Sequence, residues 1–275
     1  MELYTKTSYQ LGRTLTLNYS TSFGKSSKLF SKDIRDHIYA IYGLVRVADE
    51  IVDTYKGNGM GQLLDELEAH TLQALKTGFS PNPLVHAFAT TARQYGIKKD
   101  LVRPFFKSMR MDLSPQTYDQ QKYETYIYGS AEVVGLMCLK VFVADDAAYA
   151  KLEAPASRLG AAYQKVNFLR DIAADSEGLG RWYFPIGSAA TFDEKTKRAI
   201  IADIDKDFAV AKKAIPALPE SSQKAVLLSY EYYSRLLQKI KETSASRLLQ
   251  ERIRITNTKK IGLFIKTAST RSPRA

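Results

Sequence analysis

Apolar residues recur at intervals of three and four through most of the chain, while the alternation that marks strands is scarce, so the pattern predicts an all-α protein of about eight to eleven helices. No internal repeat is visible. The first helix is expected over Leu3–Tyr19, stopping at Ser20-Thr21-Ser22-Phe23-Gly24, where hydroxyls and a glycine favour a turn or a cap. Ser31 reads as the N-cap of a second helix, from Lys32 to about Tyr55, with Asp33 in its first turn. Amphipathic helices follow over Gln62–Lys76, over Pro83–Tyr95 ended by Gly96, and over Lys98–Met111, bent or begun near Pro104. A longer one starts near Tyr118. Pro155 suits the first turn of the next helix, which should end near Gly178 and Gly180. Asp203–Ile215 and Ser221–Glu251 complete the series.

Two of these helices carry chemistry on one face. Spacings of three and four gather Gln164, Asn167, Asp171 and Asp175 in one helix and Tyr42, Arg46, Asp49 and Asp53 in another. Two carboxylates one turn apart repel by roughly 0.2–0.5 kcal/mol on a free helix. Facing inward they repel more, which calls for a cation between them. Hard oxygen ligands favour magnesium, usually held by one or two carboxylates together with substrate phosphates. A solvated charged face, with Arg46 as an intrahelical partner of Asp49 or Glu50, accounts for the Tyr42–Asp53 set taken singly, and exposed helices carry single Asp pairs by chance. Two sets in one chain, each with basic or amide neighbours, fit about two or three magnesium ions and a diphosphate held between facing helices. Such an arrangement assists a leaving group, because metal and arginine stabilise the negative charge that develops as the C–O bond breaks.

Other motifs are blander. Gly57-Asn58-Gly59-Met60-Gly61 lacks the preceding strand and the lysine of a phosphate-binding loop and reads as a connector. His37, His70 and His86 have no partner at zinc-site spacing. Gly129, Ala131 and Gly135 fit close helix packing and a bulky ligand against the backbone equally well. A phosphate resting at Ser20–Gly24 competes with simple capping by the same hydroxyls.

Composition adds bounds. A chain of 275 residues with 45% hydrophobic and 25% charged residues is expected to form one large domain over residues 1–275. The formal charge of +11 suits anionic partners, phosphates or an acidic membrane surface among them. Dispersed basic residues without a recognisable binding module argue against nucleic acid. The single Cys138 excludes an internal disulfide and fits a reducing cytosol. No apolar signal core opens the chain, and the longest apolar run, around Val133–Val143, is too short to span a bilayer. Cytoplasmic location with at most peripheral membrane contact is the expectation. The basic tail from Arg252 to Ala275, around Ile261-Gly262-Leu263-Phe264-Ile265, suits either a solvated end or that membrane contact.

Taken together, the ordered motifs resemble the squalene and phytoene synthase family, the head-to-head prenyltransferases, over nearly the whole chain. Arg46-Val47-Ala48-Asp49-Glu50-Ile51-Val52-Asp53 matches the family's first aspartate motif. Gln164 to Asp175, with Gly180-Arg181-Trp182-Tyr183-Phe184-Pro185, matches the second. Ser20-Thr21-Ser22-Phe23 is similar to an early Ser-x-Ser-Phe segment, and Tyr126 heads a segment similar to the central Tyr-x-x-x-x-Ala-x-x-Val-Gly pattern. The resemblance implies an all-α isoprenoid synthase fold around one apolar cavity. It also implies magnesium, with manganese as a substitute, on Asp49, Asp53, Asn167, Asp171 and Asp175, assisted by Gln164. Arg46, Arg170, Arg181 and Tyr183 would hold diphosphate. Tyr42 and Tyr126 would face the reacting carbons, and Ser20, Ser22 and Phe23 would shape the diphosphate and prenyl site.

Two departures from the family pattern stand out. Ala174 replaces an acidic residue that relatives often have, which removes any metal or water contact that carboxylate would supply. Glu50 replaces an aspartate and keeps the charge. The wording of the second motif is most similar to bacterial phytoene synthases, which implies condensation of two geranylgeranyl diphosphates without NADPH. A synthase of dehydrosqualene or squalene from farnesyl diphosphate is the alternative. A catalytically inactive assembly relative should have lost metal carboxylates, and this chain keeps four. Oligomeric state is not legible in the sequence.

Overall fold

A computed structural model of the chain describes residues 1–55, 57–114, 117–143, 145–178 and 180–269. Among them are thirteen α-helices: α1 Glu2–Tyr19, α2 Thr21–Ser26, α3 Lys32–Asp49, α4 Met60–Thr77, α5 Pro83–Tyr95, α6 Lys99–Met111, α7 Gln120–Ile127, α8 Val133–Phe142, α9 Asp146–Ala173, α10 Glu194–Ala214, α11 Glu220–Glu242, α12 Ala245–Leu248 and α13 Asn257–Ser269. No strand occurs among the described residues; a single bridge joins Thr117 to Trp182. The all-α expectation holds. None of the described helices is long and apolar enough to cross a membrane.

Local chemistry sets the ends. The α5 helix starts where the Asn82 side chain accepts hydrogen bonds from the amides of Leu84 and Val85, and stops at Gly96, whose φ of 69° suits a residue without Cβ. Four expected boundaries shift. Pro155 lies well inside α9 rather than in its first turn, because the carboxylate of Asp145 caps the amide of Ala148 and starts the helix earlier. The helix expected from Asp203 likewise starts at Glu194, where Asp193 caps the amide of Thr196. The helix expected over Ser221–Glu251 breaks after Glu242, and Ser244 caps the short α12 through the amide of Arg247. The turn expected at Ser20–Gly24 is the beginning of α2, with the Ser20 hydroxyl accepting from the amide of Phe23.

Three single turns of wider π-helix interrupt the pattern, at Glu50–Thr54 after α3, Tyr128–Glu132 between α7 and α8, and Ala174–Gly178 after α9. Such turns often accompany functional sites. Here the first and third carry the ends of the two acidic sets.

Helix α9, about 42 Å long at ~1.5 Å per residue, is the spine, packed against α8, α10 and α11. Helix α3 packs on α1, α5 and α8. A Cβ on Gly129 would lie 2.1 Å from the carbonyl oxygen of Pro104, and one on Gly160 2.7 Å from that of Ala131. Close packing is therefore what Gly129 serves, while Ala131 and Gly135 also line the central cavity. Phe88, Phe105 and Phe106 are almost fully buried in the surrounding core, and each contributes roughly 1.5–3 kcal/mol by leaving water. His86 bonds Thr5 through Nε2, with its buried Nδ1 unpartnered among the described residues, and His37 bonds Tyr9 and Thr91, so both sit as packing residues between helices.

Candidate active site

One cavity of about 1460 Å³ runs between the helices. Its size exceeds the roughly 300–1,000 Å³ of ordinary small-ligand pockets. Along α3 its lining passes from Ile38 and Ile41 to Tyr42, Arg46, Asp49 and finally Asp53; along α9 from Leu152 and Leu159 to Gln164, Asn167, Asp171 and finally Asp175. The path from Ile38 to Asp53 covers about 22 Å at ~1.5 Å per residue. Each helix thus offers an apolar stretch that ends in two carboxylates.

The acidic ends converge on Arg181. Its backbone amide donates to the carbonyl of Asp175 at 2.8 Å, and its Nη1 donates to Asp53 Oδ1 at 3.0 Å. Its Nη2 donates to the backbone carbonyl of Asp112 at 2.5 Å. The guanidinium is almost buried, so it stands as a fixed cation between the two sets. The bridge from Thr117 to Trp182 places the Arg181–Tyr183 segment beside Thr117, and the side chains of Arg181 and Tyr183 reach Asp112.

The two sets differ in how their charge is answered. Arg46 bonds Glu50, lies 3.9 Å from Asp49, and stacks 4.6 Å over the Tyr19 ring. Its Nε is buried and bonds nothing among the described residues. Asp171 accepts from Arg170 Nε at 3.0 Å and pairs with Arg252 Nε at 2.6 Å. Burial, then the charge of Asp53, pushes Asp49 up to about 7; burial, then the charge of Asp171, does the same to Asp175, also to about 7.

The remaining expected residues also face the cavity. Tyr42 stacks on Phe23, ring centroids 5.3 Å apart, and burial pushes its phenol up to about 12, so it is a neutral hydroxyl. Ser20 and Ser22 line the wall, with the Ser20 hydroxyl committed to its cap. Asn167 accepts from Tyr233 at 3.3 Å. Tyr126 and Tyr183 form an aromatic group with Tyr118 and Phe168, Tyr183 stacking on Phe168 at 4.2 Å.

Two residues escape the sequence reading. Arg252 comes from the tail, which is neither a free end nor solely a surface segment: Arg252 through Asn257, and Lys260, line the cavity. Burial and the nearby charges of Lys25, Arg170 and Arg254 push the Lys260 amine down, the sign of a cationic crowd suited to an anion. Asp112, at the end of α6, is buried beneath the tyrosines. Burial raises it to about 6 against the opposing pull of Arg181 and two phenol hydrogen bonds. Residues 270–275, the end of the basic tail, lie outside the described residues.

Comparison with known proteins agrees with this geometry. Residues 16–259 match the family model described as squalene/phytoene synthase. The chain is 28% identical over 261 residues to a phytoene synthase of Arthrospira platensis, covering 85% of this chain and 84% of that protein. It is 26% identical to a 15-cis-phytoene synthase of Enterobacter agglomerans, covering 90% of each. The fold superposes on a crystal structure of a dehydrosqualene synthase in complex with ligand at a TM-score of 0.82, with 19% identity and 96% of each chain covered. The chain belongs to the squalene/phytoene synthase family.

Proposed function

We propose that the protein is a phytoene synthase, a magnesium-dependent prenyltransferase that joins two geranylgeranyl diphosphates head to head. The observation that carries this reading is the large cavity whose apolar stretches along α3 and α9 both end in paired carboxylates, with Arg181 bonded through its guanidinium to the Asp53 carboxylate and through its backbone amide to the Asp175 carbonyl. The likeness in sequence to two phytoene synthases supports the 20-carbon substrate. Farnesyl diphosphate, giving dehydrosqualene or squalene, is the alternative, and a dehydrosqualene synthase shares the fold.

The residues present fit a divalent cation that is completed by substrate. No three of His, Cys, Asp and Glu form a ready-made metal cluster among the described residues. Magnesium bound by one or two carboxylates and substrate phosphates needs none. Asp49 and Asp53 would hold it on one side, and Asp171 and Asp175, with Asn167, on the other. When bound it would neutralise charge growing on the departing diphosphate. The buried, unpartnered Arg46 Nε marks a place for an anionic oxygen, and Arg170, Arg181 and Arg252 supply further donors.

On this reading the arginines hold diphosphate while the helix walls align two prenyl chains and exclude water. Loss of diphosphate from one chain lets the double bond of the other attack its C1. Proton loss closes a cyclopropane. The second diphosphate then leaves, the carbon skeleton rearranges, and a second proton departs to give a linear polyene. Two diphosphates and two protons leave in all. Tyr42, Tyr126 and Phe168 line the space in which the carbocations form.

Purified protein with magnesium and, separately, 15- and 20-carbon prenyl diphosphates, with and without NADPH, tests the reading. Phytoene from the longer substrate without reductant is expected. Hydrocarbon only from the shorter one refutes it. We further propose peripheral contact with an acidic membrane through α13, where Ile261 and Ile265 are exposed among Lys259 and Lys266. Co-sedimentation with anionic vesicles that survives I261E/I265E would refute that contact.

A further inference from the structure

We propose that Asp112 is a positioning residue that sets the hydrogen-bond polarity of Tyr126 and Tyr183, so that both phenols turn oxygen lone pairs, and no O–H, toward cationic carbon in the cavity. The inference rests on the carbocation chemistry proposed above. Asp112 belongs to neither aspartate motif, and its surroundings are built. The Tyr126 hydroxyl donates to its Oδ2 at 2.7 Å, and the Tyr183 hydroxyl donates to its Oδ1 at 2.9 Å. Arg181 Nη1 stands 4.0 Å from Oδ1, and Arg181 Nη2 donates to the Asp112 backbone carbonyl.

A phenol has one proton to give. With both protons directed at one carboxylate, what each oxygen can offer elsewhere is lone-pair density, all of it at Tyr126 and what is left at Tyr183 after its oxygen accepts from Arg181 Nη1 at 3.4 Å. Tyr183 stacks on Phe168 and Tyr126 lies tilted against it, an aromatic group whose electron-rich surface attracts cations. Were either O–H reversed, its positive end would meet the developing charge. In a cavity shielded from water that difference in sign is large. The carboxylate therefore acts through the tyrosines rather than on the substrate, and its charge is answered locally by Arg181.

The informative variant is Asp112→Asn, which keeps the shape. An amide accepts one phenol proton but presents N–H to the other oxygen, forcing that hydroxyl to turn. Two measurements on the full-length protein read the result. The first compares affinity for a prenyl ammonium, a fixed positive centre in place of the carbocation, with that for its uncharged isostere. Asp112→Asn should lower this ratio about tenfold, and should do so much less in a Y126F/Y183F background, where no O–H remains to be turned. The second is turnover. The kcat should fall about 100-fold with KM nearly unchanged. Y126F should lose less than Asp112→Asn, since a missing dipole is milder than a reversed one.

An unchanged ammonium ratio in Asp112→Asn, or an equal drop in the Y126F/Y183F background, overturns the proposal. If Asp112→Asn does not fold, the ammonium ratio in Y126F/Y183F decides instead. A fall of severalfold supports the proposal, and no change overturns it. Hydrocarbon formation by the unaltered protein judges the functional reading separately, because the ammonium ratio needs no turnover.

Discussion

At the end of α3, Arg46 answers Glu50 and Asp49 from the same helix, whereas at the end of α9 the carboxylate of Asp171 is held both by its neighbour Arg170 and by Arg252, from a segment 81 residues further on. One acidic end is prepared by local helix geometry and the other by tertiary folding. The difference bears on how an anion would be received. Arg46 keeps an unpartnered Nε whether or not Glu50 is bound. Arg170 and Arg252, by contrast, are occupied by Asp171, and on the proposed reading they pass to diphosphate only when Asp171 is shared with a cation. The α9 end should therefore be the one at which metal and substrate binding are coupled.

The largest effects break both halves outright. Asp49→Ala and Asp171→Ala should each reduce turnover by about 10³-fold or more, the scale of losing a main electrostatic stabiliser of the leaving group, with the thermal melt near that of the unaltered protein. Retained activity in either variant refutes the metal-ligand roles. Next comes the tertiary clamp. Arg252→Ala should raise the KM for prenyl diphosphate about tenfold, equivalent to ~1.4 kcal/mol. It should also steepen the dependence on magnesium, since Asp171 loses one competing cation. A KM unchanged by Arg252→Ala would make the two ends equivalent and dissolve the comparison.

What the sequence disclosed follows the same division. The faces Tyr42, Arg46, Asp49, Asp53 and Gln164, Asn167, Asp171, Asp175 all line the cavity, because an interval of four residues fixes which way a helical side chain points before any tertiary contact forms. Arg252 and Asp112 were illegible for the opposite reason: no local period marks a residue whose partners lie 81 or 71 positions away. The π-turns at Glu50–Thr54 and Ala174–Gly178 were illegible too, since each inserts within an otherwise ordinary helical run. The missed boundaries are another matter. Asp145 before α9 and Ser244 before α12 are ordinary N-cap residues, and weighting them above Pro155 and above the continuing apolar period would have placed both starts.

A smaller change sharpens the α9 end. Ala174 is exposed on the π-turn and lines the cavity between Asp171 and Asp175 in sequence. Ala174→Asp restores the carboxylate that relatives often carry there. The magnesium concentration for half-maximal turnover should fall severalfold, with kcat little altered. An unchanged requirement would mean that the α3 end sets metal affinity.

The smallest effect is expected at Glu50, and its size separates two roles. Glu50 is partly exposed, and its carboxylate is drawn below the usual range chiefly by the hydrogen bond from Arg46. Pairs of this kind on a helix surface contribute about 0.3–0.5 kcal/mol. If holding Arg46 is all that Glu50 does, Glu50→Gln should change KM and the magnesium requirement by no more than about twofold, because the amide oxygen still accepts from the guanidinium and the Tyr19 ring still supports it. A tenfold rise in the magnesium requirement would instead show Glu50 reaching the metal, making three carboxylates at the α3 end against two at the α9 end.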